Sequence, residues 1–294
     1  MLAATVTTDV PFSWNLLDDL QQLFQFEFMR NAYIAGTAAA IAAGLVGYFV
    51  VLRSLSFATH TLTQVGFAGA AGGLAAGVNP LYGLLVLNSL GAAAIGFFGR
   101  RAYGRDVVTG VVQSAALGLG LLFLALYRAQ EAVPVLVGDV LGISGTEVRI
   151  TAIAAAAIAL AVLIAYRPLL FSSLDEEIAE ARGVNLGLMS VLLLGILAVT
   201  TSVVTPIVGV LLTFSLLVGP AAAAVNLTSR PSRAIALSVT LSVPYIWIAL
   251  AVSYWIDFPP SVFVTAMAFV VYVLSRALPA LRRRPATLRA LHAA

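Results

Sequence analysis

Three observations predict an all-α polytopic membrane protein, a bundle of about nine transmembrane helices. Of the 294 residues 61% are hydrophobic and only 10% charged, against about 25% charged in soluble domains. Apolar stretches of roughly 20 residues follow one another with short polar breaks, and at about 1.5 Å per residue each crosses a hydrocarbon core of ~30 Å. Within them apolar and polar residues do not alternate, as Ala152 to Ala165 shows. That excludes a closed β-barrel, the other form that satisfies every backbone group in lipid.

In chain order, residues 1–30 form an N-terminal segment in which Trp14 to Met29 mixes Asp18, Asp19 and Glu27 with Leu16, Leu20, Leu23 and Phe24 at helical spacing. The pattern predicts an amphipathic helix lying at the membrane interface. Residues 31–280 form the membrane domain. Its spans are predicted at Asn31–Leu52, His60–Val78, Leu81–Phe98, Val107–Tyr127, Ile150–Tyr166, Leu186–Val204, Ile207–Val225, Ala234–Trp255 and Ser261–Leu278. The second span is dense in small residues (Gly66, Gly69, Gly72, Gly73, Gly77), which let helix backbones approach closely and place it inside the bundle. Residues 281–294 are a basic tail, where Arg282 to Arg284 suit anionic lipid headgroups.

Composition removes several functions. Without cysteine, disulfides and thiolate chemistry are excluded. All 16 basic residues are arginine, and none forms the aromatic-flanked cluster of a nucleic-acid groove, so no nucleic acid is expected as a partner. The N-terminus lacks the basic region and apolar run of a cleavable signal. With nine spans and residues 169–185 placed in the cytoplasm, only Arg30, Arg128 and Arg149 fall outside. That bias obeys the positive-inside rule and predicts a cytoplasmic C-terminus. The stretch Arg128–Glu147, with apolar Val133 to Val137, then lies outside as a re-entrant or surface helix. The pentapeptides Arg53–Phe57 and Arg167–Phe171 are a faint internal echo.

The stretch Phe171 to Val184 is the most informative. Ser173 suits an N-cap, Asp175, Glu176 and Glu177 fill a first turn, Leu174, Ile178 and Ala181 share one face, and Gly183 stops the helix. A short capped amphipathic helix at about 173–184 follows. It reads either as a connecting loop or as a lever that docks on a motor subunit.

Three blocks stand in order along the chain: Leu136–Ser144, Asp175–Gly183 and Val208–Ala224. They resemble the L-F-G-D-I-L-x-V-S, D-x-E-x-A-x-x-x-G and V-G-x-L-L…P-A-x-x-A blocks of ABC-3 permeases, which import zinc, manganese or iron. The resemblance covers roughly residues 28–280 and implies a type II-like ABC importer bundle. Two copies of the chain would join two ABC ATPase subunits and an extracellular substrate-binding protein. The chain has no G-x-x-x-x-G-K-[ST] loop, so it is expected to bind no cofactor and to be no enzyme, with ATP-Mg held by the partner. The resemblance makes 173–184 a coupling helix, with Leu174, Asp175, Glu177, Ile178, Ala179, Ala181 and Gly183 as coupling residues.

One departure is marked. Where the family carries an Asp and a His four apart at the start of the second span, this chain has His60 and Gln64. The spacing keeps both on one face. Imidazole is a common ligand for zinc and related ions, so His60 and Gln64 are the candidate metal-pathway site, against a packing role for a lone buried histidine. Thr59, Thr61 and Thr63 either solvate an ion or bond back to helix carbonyls, and Thr63 is kept as a pathway candidate. Pro206 and Pro220 are hinge candidates, and Pro244 a further kink. Glu131 and Asp139 could meet a binding protein or stay solvated. Two alternatives remain at this point: an ion-gradient-driven secondary transporter, opposed by the lack of mid-span carboxylates, and an ABC permease for a metal chelate. An intramembrane protease is opposed by the absence of G-x-S-x-G and H-E-x-x-H.

Overall fold

The computed structural model describes residues 24–99, 102–127, 138, 143–256 and 258–283, and the side chains of all of these except 102–104, 211 and 279–283. Among them are ten helices and no strand: α1 (Glu27–Leu52), α2 (Ser56–Ala75), α3 (Pro80–Phe98), α4 (Ala102–Tyr127), α5 (Gly145–Leu174), α6 (Glu176–Ala181), α7 (Leu186–Val208), α8 (Val210–Leu227), α9 (Pro231–Ile256) and α10 (Pro260–Arg283). Seven are long and apolar enough to cross a bilayer, and the chain is a multi-pass membrane protein. The other two long helices, α2 and α8, pack among those seven.

Side-chain hydrogen bonds show that the long helices alternate in direction. Near the start of α1, Asn31 donates to the Ile143 carbonyl just before α5, and Tyr33 to the Trp247 carbonyl late in α9. Further along α1, the Gly44 carbonyl accepts from Ser238, early in α9. Where α1 ends, Arg53 meets the last turn of α5 and the first turns of α7. The end of α7 returns to the start of α1, where Ile207 and Val208 share a small apolar cavity with Ala32 and Gly36. α8 and α10 finish together, with Asn226 donating to Ser275. The bundle thus has two ends, one holding α6 and the other holding the α7–α8 corner.

Alanine-rich α1 lies at the centre, with Ala35, Ala39, Ala40, Ala42 and Ala43 all buried. Elsewhere in the bundle α2 crosses α3 so closely that a Cβ on Gly83 would stand 2.0 Å from the Gly69 carbonyl oxygen. Only glycine permits that approach. The expected interior position of the glycine-rich span is what the structure shows.

Two boundaries differ from expectation. The spans predicted at Leu186–Val204 and Ile207–Val225 part at residues 205–206, yet α7 runs through Pro206 to Val208 and the break is Gly209, at φ +94°. A proline inside a helix forfeits one hydrogen bond, whereas reversing the chain demands a backbone conformation that glycine reaches without strain. The corner is sealed by Thr213, whose N–H and hydroxyl both reach the Gly209 carbonyl. The second correction is at 173. Ser173 lies inside α5, its hydroxyl donated to the Leu169 carbonyl, and Asp175 is the N-cap of α6 in its place. The expected interfacial helix before Phe24, the re-entrant stretch with Glu131 and Asp139, and the tail beyond Arg283 lie outside the described residues.

Candidate functional site

Two regions hold the residues singled out from sequence. The first is the exposed face of α2. Most of this helix is buried, with Thr59, Thr61 and Thr63 fully enclosed, but Phe57, His60 and Gln64 form a partly open stripe at helical spacing. His60 packs edge-on against Phe214 of α8 with ring centroids 5.4 Å apart. Among the described residues, neither the His60 imidazole nor the Gln64 amide has a hydrogen-bond partner. Both are free to meet a ligand or a second chain. The threonines are not. Thr59 donates to the Leu55 carbonyl, Thr63 to the His60 carbonyl at 2.7 Å, and Thr61 to Gln113 of α4 at 3.2 Å. Pro206 and Pro220 sit inside α7 and α8. No group of three or more His, Cys, Asp and Glu able to hold a metal occurs among the described residues.

The second region surrounds α6. Asp175 leaves α5 in extended conformation and its carboxylate accepts the Ile178 N–H at 3.0 Å, with Glu176 and Glu177 in the first turn. Negative charge there complements the exposed N–H groups and the helix dipole. Gly183, at φ +80°, closes the helix, and Val184 N–H returns to the Ala179 carbonyl. Ala179 is the buried residue of α6, while Leu174 (58% exposed) and Ile178 (50% exposed) point away from the chain. Arg182 stacks over the Phe171 ring at 5.3 Å. The result is an acidic-topped knob whose apolar side chains Leu174 and Ile178 no described residue of this chain covers.

Behind the knob lies a group that sequence reading did not single out. Arg53, the first residue after α1, donates from Nε to Ser173 at 2.8 Å, from one terminal nitrogen to Ser172, and from the other to Ser190 at 3.4 Å. Burial pushes the guanidinium below its ordinary value, Glu176 pulls it back up, and Arg105 adds to the lowering. Its signal in the sequence was the echo of Arg53–Phe57 with Arg167–Phe171, which falls at this same end of the bundle. Asn88 was also missed. Fully buried in α3, it donates to Thr201 and Ser202 of α7, and its Oδ1 has no partner among the described residues. An amide inside an apolar run is the signal that marks such a residue.

Comparison with known proteins places this geometry in context. Residues 25–278 match the model of the ABC 3 transport family. The manganese transport system membrane protein MntC of Listeria monocytogenes is 27% identical over 258 residues, 87% of this chain and 92% of the relative. The high-affinity zinc uptake system membrane protein ZnuB of Buchnera aphidicola is 24% identical over 240 residues, 80% and 92% of the two chains. Among solved structures, PsaBC from Streptococcus pneumoniae in complex with Fab superposes with a TM-score of 0.80 at 26% identity, covering 88% of this chain and 95% of that one. An inward-facing metal-chelate type ABC transporter shares the fold at a TM-score of 0.67 and 17% identity.

Proposed function

The chain belongs to the ABC-3 transport family, and on that premise we propose that it is the membrane-spanning permease of an ATP-driven importer of divalent transition-metal ions: zinc, manganese or iron. Relatives named for manganese and zinc transport support that cargo. In this reading the permease hydrolyses nothing itself. A separate ABC ATPase binds ATP-Mg and docks against α6, which puts α6 and the C-terminus at the cytoplasmic side of a bacterial plasma membrane. An extracellular binding protein delivers the ion to the opposite end. A second copy of the chain lies across the α2 stripe, so that two His60 and two Gln64 side chains border one path used by alternating access.

The observation that carries the proposal is the uncovered apolar face of α6. Leaving Leu174, at the end of α5, and Ile178 of α6 half exposed gains nothing for the chain's own fold, whereas burying the remainder of each against a partner contributes roughly 1 kcal/mol. The test is reconstitution of the chain with its ATPase in lipid vesicles, measuring uptake of zinc, manganese and iron. Accumulation that requires both ATP and the ATPase is expected. Uptake by this chain alone, driven by an ion gradient, would refute the proposal in favour of a secondary transporter. One observation favours a chelated metal as a second reading: the His60–Gln64 stripe offers no carboxylate to offset a bare cation's charge.

A further inference from the structure

We propose that Arg53 is the positioning residue through which displacement of α6 reaches α2 and its His60–Gln64 stripe. The inference rests on the permease reading above, since it names how force from the docked ATPase would travel.

The connection is short at both ends. Ser172 and Ser173 belong to the last turn of α5, and only Asp175 separates α5 from α6. On the other side, Arg53 to Leu55 are the whole link between α1 and α2. That link is a tight corner: Ser54 adopts φ +55°, the one positive φ outside glycine among the described residues, and Leu55 N–H bonds the Val50 carbonyl at 2.8 Å. A corner this constrained passes a shift of Arg53 on to Ser56, the first residue of α2, and His60 lies one turn further.

The chemistry of the contact suits a part that moves. A guanidinium is planar and presents five donors in a fixed fork, so one side chain can hold three helices in a defined mutual position. Its three acceptors are hydroxyls on two different helices, and among the described residues no carboxylate lies within ion-pair distance of it. Hydroxyls already donating to helix carbonyls, as Ser172 does to Pro168, can be exchanged for one another without leaving a buried ion pair broken. The carboxylate that acts on Arg53 from further away, Glu176, rides on α6 itself. Moving α6, joined to α5 through Asp175 alone, therefore shifts Ser172 and Ser173 at the end of α5 and the field at the guanidinium.

The test uses the complete complex in vesicles and reads two quantities: ions taken up per ATP hydrolysed, and the labelling rate of a thiol introduced by Gln64→Cys with and without ATP. The chain contains no cysteine, so that label is unique within it. Arg53→Gln should keep ATP hydrolysis while lowering ions per ATP about tenfold, the scale of losing charge-assisted hydrogen bonds, and the thiol should stop responding to ATP. Arg53→Lys keeps the charge but loses the fork, and should resemble the glutamine variant. The double variant Ser173→Ala, Ser190→Ala removes two acceptors and leaves the arginine in place; it should shift both readouts the same way, and it is decisive if Arg53→Gln fails to assemble. An unchanged ratio in these variants, or full recovery with lysine, overturns the inference while leaving the permease reading intact. Absence of ATP-dependent uptake by the unsubstituted complex overturns the permease reading, and this inference with it.

Discussion

Substituting Gly83 by alanine tests whether α2 is held in place by backbone contact with α3. A methyl at that position would lie 2.0 Å from the Gly69 carbonyl oxygen, 2.9 Å from its carbon and 3.0 Å from the Gly73 nitrogen. All three neighbours are backbone, so no side chain can swing away, and ordinary contact near 3.5 Å returns only if the helices part by about 1 Å or more. Overpacking of this kind costs about 1–3 kcal/mol and sometimes more, and a rigid neighbour puts Gly83→Ala at the upper end. The matched control is Gly110→Ala in α4, where nothing among the described residues lies within 4 Å of the added methyl. There the change removes a glycine's helix penalty and gains up to about 1 kcal/mol. In detergent, thermal unfolding of the purified chain should fall by roughly 6–12 °C for Gly83→Ala, on a scale of about 2–4 °C per kcal/mol for a chain of this size, and hold or rise for the control. Equal melting of the two variants would refute the reasoning. Because α2 bears His60 and Gln64, parting it from α3 should also lower uptake, a loss the control does not share.

Two further outcomes follow from the same contacts. His60→Ala should leave folding unchanged, since among the described residues the imidazole makes one ring contact and no hydrogen bond; under the proposed pathway role it should lower metal uptake by about tenfold or more, and transport assays beside a melting curve separate the two. Asn88→Leu should change stability by no more than about 1 kcal/mol, because two neutral hydrogen bonds are lost while an unpartnered buried oxygen is removed; a much larger drop in melting temperature would show that Oδ1 is satisfied by a ligand or water.

Most of the architecture was legible because a membrane span writes itself in composition. The predicted spans overlap the nine long helices, and α2 was assigned to the interior from its glycines. What sequence could not reveal depends on residues far along the chain. Ser173 and Asp175 are both good caps, but the serine hydroxyl bonds back to the Leu169 carbonyl and accepts from Arg53, 120 residues away, while Asp175 caps α6. Thr61 looked like a sister of Thr59 and Thr63, but only it finds Gln113 across the α2–α4 contact. Pro206 and Gly209 compete as breakers within four residues, and the decision rests on which one must adopt φ +94°. The His60–Gln64 pair was visible through its alignment with the family's Asp and His; its neighbour Phe214 was not, since nothing in an apolar run marks which ring will face an imidazole.

Cross-linking from α6 tests the central claim most directly: that ATP energy enters this bundle by mechanical contact at that helix. A thiol introduced by Ile178→Cys, the only one in the chain, should couple through a short bifunctional reagent to the ATPase subunit in membranes, and the bond should arrest ATP-driven uptake until it is cleaved. A thiol at this position that reacts only from the extracellular side, or never joins the ATPase while uptake proceeds, would contradict the account.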